Sequence, residues 1–134
     1  MIKFIETEEK IGLTDLLSFE VQYNYILPKA YKSHIMQYNG GYPEDEIFFD
    51  DYPIDNFFSI KYGEDTVEEN IKILSDVIEG KFFPFGDSLG GILYISFNKN
   101  SLGKVYVMYS DGQTDFLADS FEEFMNGLSK EQDL

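Results

Sequence analysis

The 134-residue sequence contains no cysteine, no arginine and a single histidine. Without cysteine it has neither a disulfide framework nor a thiolate for zinc binding or nucleophilic catalysis. Without arginine it lacks the planar donor that binds phosphate and carboxylate groups in a bidentate way. Hydrophobic runs such as 90–97 fall far short of the roughly 20 residues of a membrane span. No N-terminal run has the length of a signal peptide, so the sequence predicts a soluble, cytoplasmic protein.

Acidic and aromatic side chains are abundant instead. The chain has 10 lysines against 25 Asp and Glu residues, a net charge of −15, and 17% aromatic residues. The 43% hydrophobic content is enough to form a core, and the length predicts one domain, which we assign to residues 1–128, with a polar tail over 129–134. This charge repels nucleic acid and anionic lipid, so a charged partner should be basic.

Four helices are predicted from the spacing of apolar residues. The first covers about 14–23, with Leu13, Leu17 and Val21 as its buried stripe. The second begins at Pro28, where a missing N–H costs nothing, and ends at an Asn-Gly-Gly turn. The others cover 66–79 and the residues after Ser120, and Ser/Thr-x-x-Glu capping boxes mark both starts.

The predicted strands are short and joined by turns. They cover 46–49, 56–62, 82–85, 92–97, 105–109 and 114–117. Pro84 places its strand at an edge or a bulge, and Asp111-Gly112 is typical of a two-residue hairpin turn. Because tight turns join antiparallel strands, we expect a single α+β domain with a mainly antiparallel, possibly mixed, sheet flanked by about four helices.

Catalytic chemistry has little support in the sequence. His34 is the only histidine, and a lone helical histidine is usually structural. The glycine-rich stretch 86–91 lacks the Lys-Ser/Thr of a P-loop and precedes a strand, which favours a tight bend over a phosphate site. We therefore expect no enzyme activity and no cofactor.

Metal binding has one candidate group. Asp45, Glu46, Asp50 and Asp51 offer oxygen ligands of the kind that calcium prefers, but the EF-hand spacing is absent. A solvated acidic loop is the favoured interpretation, and we assign no metal site.

The segment from Ser33 to Ile60 contains no lysine, six acids and several aromatic residues. Acids steer a basic partner, and aromatic side chains supply contact area, so this pattern predicts a binding surface. The alternative is that the aromatic residues form core and the acids only maintain solubility. The candidate binding residues are Glu44, Asp45, Glu46, Asp50, Asp51, Tyr52 and Asp55.

Three motifs, in order across residues 19–128, resemble the SUKH superfamily, in particular its Smi/Knr branch. The first is Leu-Pro…Tyr…Asn-Gly-Gly in 27–41, the second Phe-Pro-Phe-Gly-Asp…Gly-Gly in 83–91, and the third Ser-Phe-x-x-Phe in 120–124, after the strand 103–107. The resemblance implies a structural role for the motif residues Pro28, Asn39, Gly40, Gly41, Gly90, Gly91, Phe121 and Phe124. Members often carry a Trp near these strands, and this chain has none.

For many bacterial members the resemblance implies an immunity protein that neutralises a polymorphic toxin, often a nuclease. A basic nuclease surface would suit the acidic chain. The hypothesis is therefore an immunity protein that occupies the basic surface of a cognate toxin. The alternative is a non-catalytic cytosolic module that regulates another basic protein.

Overall fold

A computed structural model describes residues 2–132 as an α+β fold, which confirms the predicted class. The helices are α1 (Leu13–Tyr23), α2 (Lys29–Gln37), α3 (Val67–Ser75) and α4 (Phe121–Asn126). The strands are β1 (Phe4–Ile5), β2 (Tyr42–Pro43), β3 (Phe48–Phe49), β4 (Tyr52–Pro53), β5 (Asn56–Phe57), β6 (Phe82–Ser88), β7 (Gly91–Ser96), β8 (Val105–Met108), β9 (Thr114–Ala118) and β10 (Leu128–Ser129). A short 3-10 helix, Lys99–Ser101, lies between β7 and β8.

The strands form three sheets, and every strand pair in them is antiparallel. The main sheet has the order β5-β6-β7-β8-β9, and smaller sheets have the orders β10-β3-β4 and β1-β2. A register shift between Pro84 and Gly86 confirms the bulge predicted near Pro84. The shift allows a residue without a backbone N–H inside a long strand. Leu89 and Gly90 form a tight turn between β6 and β7, both with positive φ, as the bend interpretation of 86–91 predicts.

The core is built largely from aromatic rings between the main sheet and the helices. Phe85 on β6 packs edge-on against Phe121 and Phe124 of α4, with ring centroids 5.2 and 5.4 Å apart. Tyr31 on α2 contacts Phe83 and Phe121 in the same edge-to-face manner. Edge-to-face packing of this kind aligns the positive edge of one ring with the negative face of the next.

The predicted buried face of α1 is wrong. Leu13, Leu17 and Val21 are exposed, Val21 by 84%, whereas Leu16 and Phe19 are buried. The helix has apolar residues on two faces, and both fit helical spacing. The face with the larger aromatic residue is the one that packs inward, because Phe19 meets a ring of the main sheet at 5.8 Å.

Two other local predictions also need correction. Between β8 and β9 the Tyr109 N–H bonds to the Gln113 carbonyl and closes a three-residue turn, 110–112, in which Gly112 takes the left-handed position, instead of the predicted two-residue turn. The third helix ends at Ser75 rather than near 79, and its last turn continues as irregular backbone. The predicted N-cap residues are confirmed: Thr66 and Ser120 accept the N–H of Glu69 and Glu123, respectively, which is one of the two bonds of a capping box.

The Asn-Gly-Gly turn after α2 joins the N-terminal half to the main sheet. The buried amide of Asn39 donates to the carbonyls of Glu9 and Ile60 and accepts the N–H of Ile60, all within 3.0 Å. Gly41, with φ +92°, accepts the N–H of Phe57 at 2.8 Å. A Cβ at Gly41 would overlap a backbone carbonyl of β1, so the chain needs glycine there. This turn sets where the acidic segment begins.

Candidate protein-binding surface

The acidic segment, residues 44–55, forms a small hairpin between β2 and β5. Strands β3 and β4 pair Phe48 with Pro53 and Phe49 with Tyr52. Asp50 and Asp51 make the turn, with Asp50 at φ +52°, a conformation that Asp tolerates better than most residues. Strand β10 pairs with the other side of β3 and holds the hairpin against the C-terminal end of α4.

The hairpin separates its acids from its aromatic residues. The six carboxylates of the segment, those of Glu44, Asp45, Glu46, Asp50, Asp51 and Asp55, are all on exposed residues. Phe48, Phe49, Phe57 and Phe58 are buried in the core. The aromatic residues that remain accessible are Tyr52, which is half-buried, and Tyr42, which is 38% exposed. These phenylalanines therefore belong to the core, and the surface itself is acidic and poor in apolar contact area.

Tyr52 connects the hairpin to the edge strand β9 of the main sheet. Its hydroxyl donates to Asp115 Oδ2 at 2.8 Å, and the Tyr109 hydroxyl donates to the same oxygen at 3.3 Å. The bond to Asp115, together with partial burial and nearby acids, raises the pKa of Tyr52 to about 12. Tyr52 is therefore a neutral hydrogen-bond donor at physiological pH, and it brings Asp115 into the acidic surface beside Asp51.

The first acids of the segment lie beside two lysines. Asp45 pairs with Lys130 at 3.0 Å, and both side chains are exposed. Glu44, Asp45, Lys3 and Lys130 line a small cavity of about 200 Å³. The other acids of the segment have no lysine within ion-pair distance in the part of the chain that the structure describes. The negative charge is consequently least compensated at Glu46, Asp50, Asp51 and Asp55.

Asp55 faces a different set of neighbours from the hairpin turn. Its carboxylate accepts the N–H of Leu89 at 3.1 Å, beside the turn between β6 and β7. Burial, with Asp65 and Asp55 nearby, raises the pKa of Asp87 to about 6. In the structure, Asp55 therefore lies near Asp65 and Asp87. The hairpin turn lies near Asp115 instead.

Several residues of this surface were missed by sequence reasoning. Asp115 lies 63 positions from Tyr52, and Lys130 lies far from Asp45 in the chain. Nothing in the local pattern of either residue marks it. The antiparallel pairing of β10 with β3 brings Lys130 to Asp45, whereas Asp115 lies on β9, which belongs to a different sheet from Tyr52. By contrast, Glu68 and Asp65 near the start of α3 have structural partners, the Lys61 N–H and the Asn70 amide.

His34 is packed as an aromatic residue. Its ring lies 4.9 Å from that of Phe4 and 5.1 Å from that of Phe57, and its Nε2 is buried without a hydrogen-bond partner within residues 2–132. Burial lowers its pKa to about 4, so the ring is neutral near pH 7. The described residues bring no carboxylate or hydroxyl into hydrogen-bond contact with it, and the geometry gives it no proton-transfer role.

Residues 2–132 contain neither a cluster of metal ligands nor a membrane-spanning helix. Within residues 2–132, no three Asp, Glu or His side chains converge in a way that would hold a metal ion. The same residues include no helix with the length and hydropathy to cross a bilayer. The acidic segment is a spread of separate carboxylates along a hairpin.

The fold and this surface define a small α+β domain with an acidic, solvent-facing hairpin. Its sequence matches the model of the SMI1 / KNR4 family (SUKH-1) over residues 10–127. The chain therefore belongs to that family, which confirms the resemblance drawn from its motifs. No curated protein and no solved structure matches the chain in the corresponding searches.

Proposed function

We propose that this chain is an immunity protein that binds a cognate polymorphic toxin of the nuclease class. In this proposal it neutralises the toxin without catalysis, by covering the basic surface that holds nucleic-acid phosphates. Family membership supports a role of this kind. The observation that carries the proposal is the row of exposed acids on the hairpin, most of them without an ion-pair partner in the described chain.

Electrostatics gives this proposal a specific kinetic form. A protein of net charge −15 with uncompensated carboxylates on a protruding turn attracts a basic partner over a Debye length. Since the phenylalanines of the segment are core, the hairpin offers little apolar area to slow dissociation. The acids should therefore act chiefly on the association rate and on its dependence on salt.

The test replaces three acids of the hairpin by neutral residues. A control variant replaces three acids elsewhere on the surface. The test variant is Glu46→Gln, Asp50→Asn and Asp51→Asn; Asn is chosen at position 50 because it also tolerates a positive φ. The control variant is Glu9→Gln, Asp76→Asn and Glu79→Gln, also on exposed residues. Both change the net charge from −15 to −15 + 3 = −12.

The partner for this test is a toxin-like reading frame beside the gene, first scored by growth of a host with and without this chain. In stopped-flow mixing, the hairpin variant should associate about tenfold more slowly at low salt, with a flatter salt dependence. The control should change the rate far less. Equal effects of the two variants would show that only total charge matters and would remove the hairpin from the interface.

Growth rescue and complex formation answer different parts of the proposal. Rescue together with a stable complex supports immunity. A complex without rescue would instead favour a regulatory module for a basic partner. Death of both cultures without a complex would exclude that reading frame as the cognate toxin.

A further inference from the structure

An apolar groove lies on a part of the surface that the proposed function does not use. The loop after α1 and the loop between β7 and β8 enclose a volume of about 590 Å³. Its walls include Ile26, Leu27, Pro28, Phe97 and Leu102. A groove of this size and apolar lining is within the range that proteins use to hold ligand groups.

Two of these apolar side chains project into solvent rather than into the core. Ile26 is 85% exposed and Leu102 is 65% exposed, whereas Tyr25 and Leu27 on either side of Ile26 are buried. The chain thus packs the neighbours of Ile26 and leaves this β-branched side chain at the rim. Exposed apolar side chains gathered at the edge of a groove are typical of an interaction site.

Among the described residues, the groove itself is lined by a lysine and by no acidic residue, and the nearby Glu20 carboxylate accepts the N–H of Leu27 at 2.7 Å. The chain has 25 acids, yet none occurs in 21–43, 80–86 or 88–110, the three ranges that supply every lining residue. Those ranges contain half of the ten lysines. Lys81 lines the groove, and Lys29, Lys99 and Lys104 lie within two residues of a lining residue along the chain.

Most of these lysines keep their charge available. Two of the five are paired: Lys32 with Glu20 at 3.2 Å, and Lys104 with exposed Asp119 at 3.3 Å. Lys81 donates to the carbonyl of Asn24 and lies over the Tyr25 ring, 4.7 Å from its centroid. Over residues 2–132, none of Lys29, Lys81 and Lys99 has a carboxylate within ion-pair distance. An apolar groove with a cationic rim selects an apolar group that carries a nearby negative charge.

We propose that this lysine-rimmed groove binds a peptide segment of a partner protein that presents large apolar side chains next to carboxylates. A peptide fits better than a bilayer because the apolar area is concave, and a bilayer is best contacted by a protruding surface. A second copy of the chain is disfavoured because two molecules of charge −15 repel each other. The groove thus adds a partner of opposite charge to the one proposed for the hairpin.

The experiment follows backbone amide signals of the full-length chain by NMR during titration with four blocked hexapeptides. The first has Leu-Phe at its centre, flanked by Asp and Glu. The second replaces the two acids by Asn and Gln, the third replaces them by Lys, and the fourth keeps the acids but has Ala-Ala at its centre. The first peptide should shift signals from 24–28 and 97–103.

The comparison of peptides tests both parts of the proposed chemistry. At low salt the neutral analogue should bind the groove at least about threefold more weakly. The expected difference is small because a single charge pair near a surface contributes little to affinity. The Lys peptide should shift the acidic segment 44–55 instead, and the Ala-Ala peptide should leave the groove signals unchanged. Equal shifts from the acidic and Lys peptides, or no groove shifts with the first peptide, would overturn the proposal.

Matched variants locate the binding. Ile26→Ser should abolish the groove shifts, whereas Val77→Ser removes another largely exposed apolar side chain elsewhere and should preserve them. Lys29→Gln with Lys99→Gln should lower affinity at least about threefold and reduce its salt dependence. These two lysines are exposed, so this variant tests the groove even if Ile26→Ser perturbs the fold.

Two further arms test the other occupants. Vesicles of phosphatidylcholine, with and without phosphatidylglycerol, replace the peptides, and dilution of the chain alone tests self-association. Groove signals that move only with anionic vesicles, or only with protein concentration, would replace the peptide proposal by a membrane or a second copy. Because no arm contains a toxin, failure here leaves the immunity proposal unaffected.

Discussion

Acidification should destabilise this fold through His34. Its ring is enclosed by the rings of Phe4, Phe57 and Phe121, with Nε2 unpartnered among the described residues. In the folded chain burial lowers the pKa from 6.5 to about 4. The unfolded chain therefore binds more protons between these values, and the stability present above pH 6.5 is lost as the pH falls toward 4.

The size of this effect follows from the two pKa values. From pH 7 to pH 5 the unfolded histidine becomes mostly charged while the folded one stays neutral. The difference in proton binding corresponds to a loss of about 2 kcal/mol in the free energy of unfolding. The loss would approach about 3 kcal/mol near pH 4.

Asp87 acts in the opposite direction over the same range. Burial and two nearby acids raise its pKa from 3.8 to about 6, so the folded chain binds more protons there. Its contribution makes folding more favourable as the pH falls through 6. Asp87 is partly exposed, so solvent screening reduces this gain to below about 1 kcal/mol between pH 7 and pH 5.

The assay is urea denaturation at pH 7 and pH 5, at constant salt, followed by circular dichroism. The His34→Phe variant should lose about 2 kcal/mol less than the natural chain over this interval, and Asp87→Asn should lose more than the natural chain. Comparing changes with pH removes any constant cost of the substitution. If His34→Phe had the same pH dependence as the natural chain, His34 would not be buried as a neutral ring.

Four other substitutions, one of them a control, test the turn after α2 and the link to β9. Gly41→Ala should destabilise the fold by about 2–4 kcal/mol because its Cβ overlaps backbone, whereas Gly112→Ala, also at positive φ but in open space, should cost about 1 kcal/mol, both by urea denaturation. A similar cost from the two variants would contradict the close approach. Asn39→Ala removes three hydrogen bonds to backbone and should cost about 3 kcal/mol, and a loss below about 1 kcal/mol would show that water replaces the amide. Tyr52→Phe should remove one tyrosine titrating near pH 12 from the ultraviolet absorbance curve at a cost below about 1 kcal/mol, and a loss of amplitude near the ordinary tyrosine pKa of about 10 would contradict the bond to its carboxylate partner.

Local signals predicted the elements whose ends are marked by side-chain chemistry. Thr66 and Ser120 begin helices because each accepts the N–H three residues on, and that bond depends only on neighbouring residues. The α1 face failed because Leu13 and Leu16 belong to two stripes with similar apolar content. Contact with an aromatic ring of β6 determines which stripe is buried. The spacing of residues within the helix cannot predict that contact.

The stretch from Ser33 to Ile60 shows the same limit for the candidate site. Its composition identified the acids, but whether the interleaved phenylalanines were core or interface depended on strand pairing. Phe49 stacks on Phe124 of α4 at 5.1 Å, and Phe57 meets Phe85 of β6 at 5.3 Å, contacts between residues that are distant in sequence. Composition therefore predicted where the acidic residues are, but it did not predict which aromatic side chains point into the core.

The distribution of charge predicts that the two proposed surfaces contribute to binding in different ways. The hairpin has uncompensated acids with its phenylalanines turned inward, so contacts there are electrostatic and weaken as salt rises. The groove has exposed Ile26 and Leu102 with lysines and no acid among its described lining residues, so contacts there are mainly apolar and persist at high salt. A single partner that used both surfaces would have to carry a basic patch and an acidic-apolar segment. Its association rate would then fall as salt screens the hairpin, and its dissociation rate would rise in the Ile26→Ser variant. Both effects on the same complex would distinguish one bivalent partner from two independent partners.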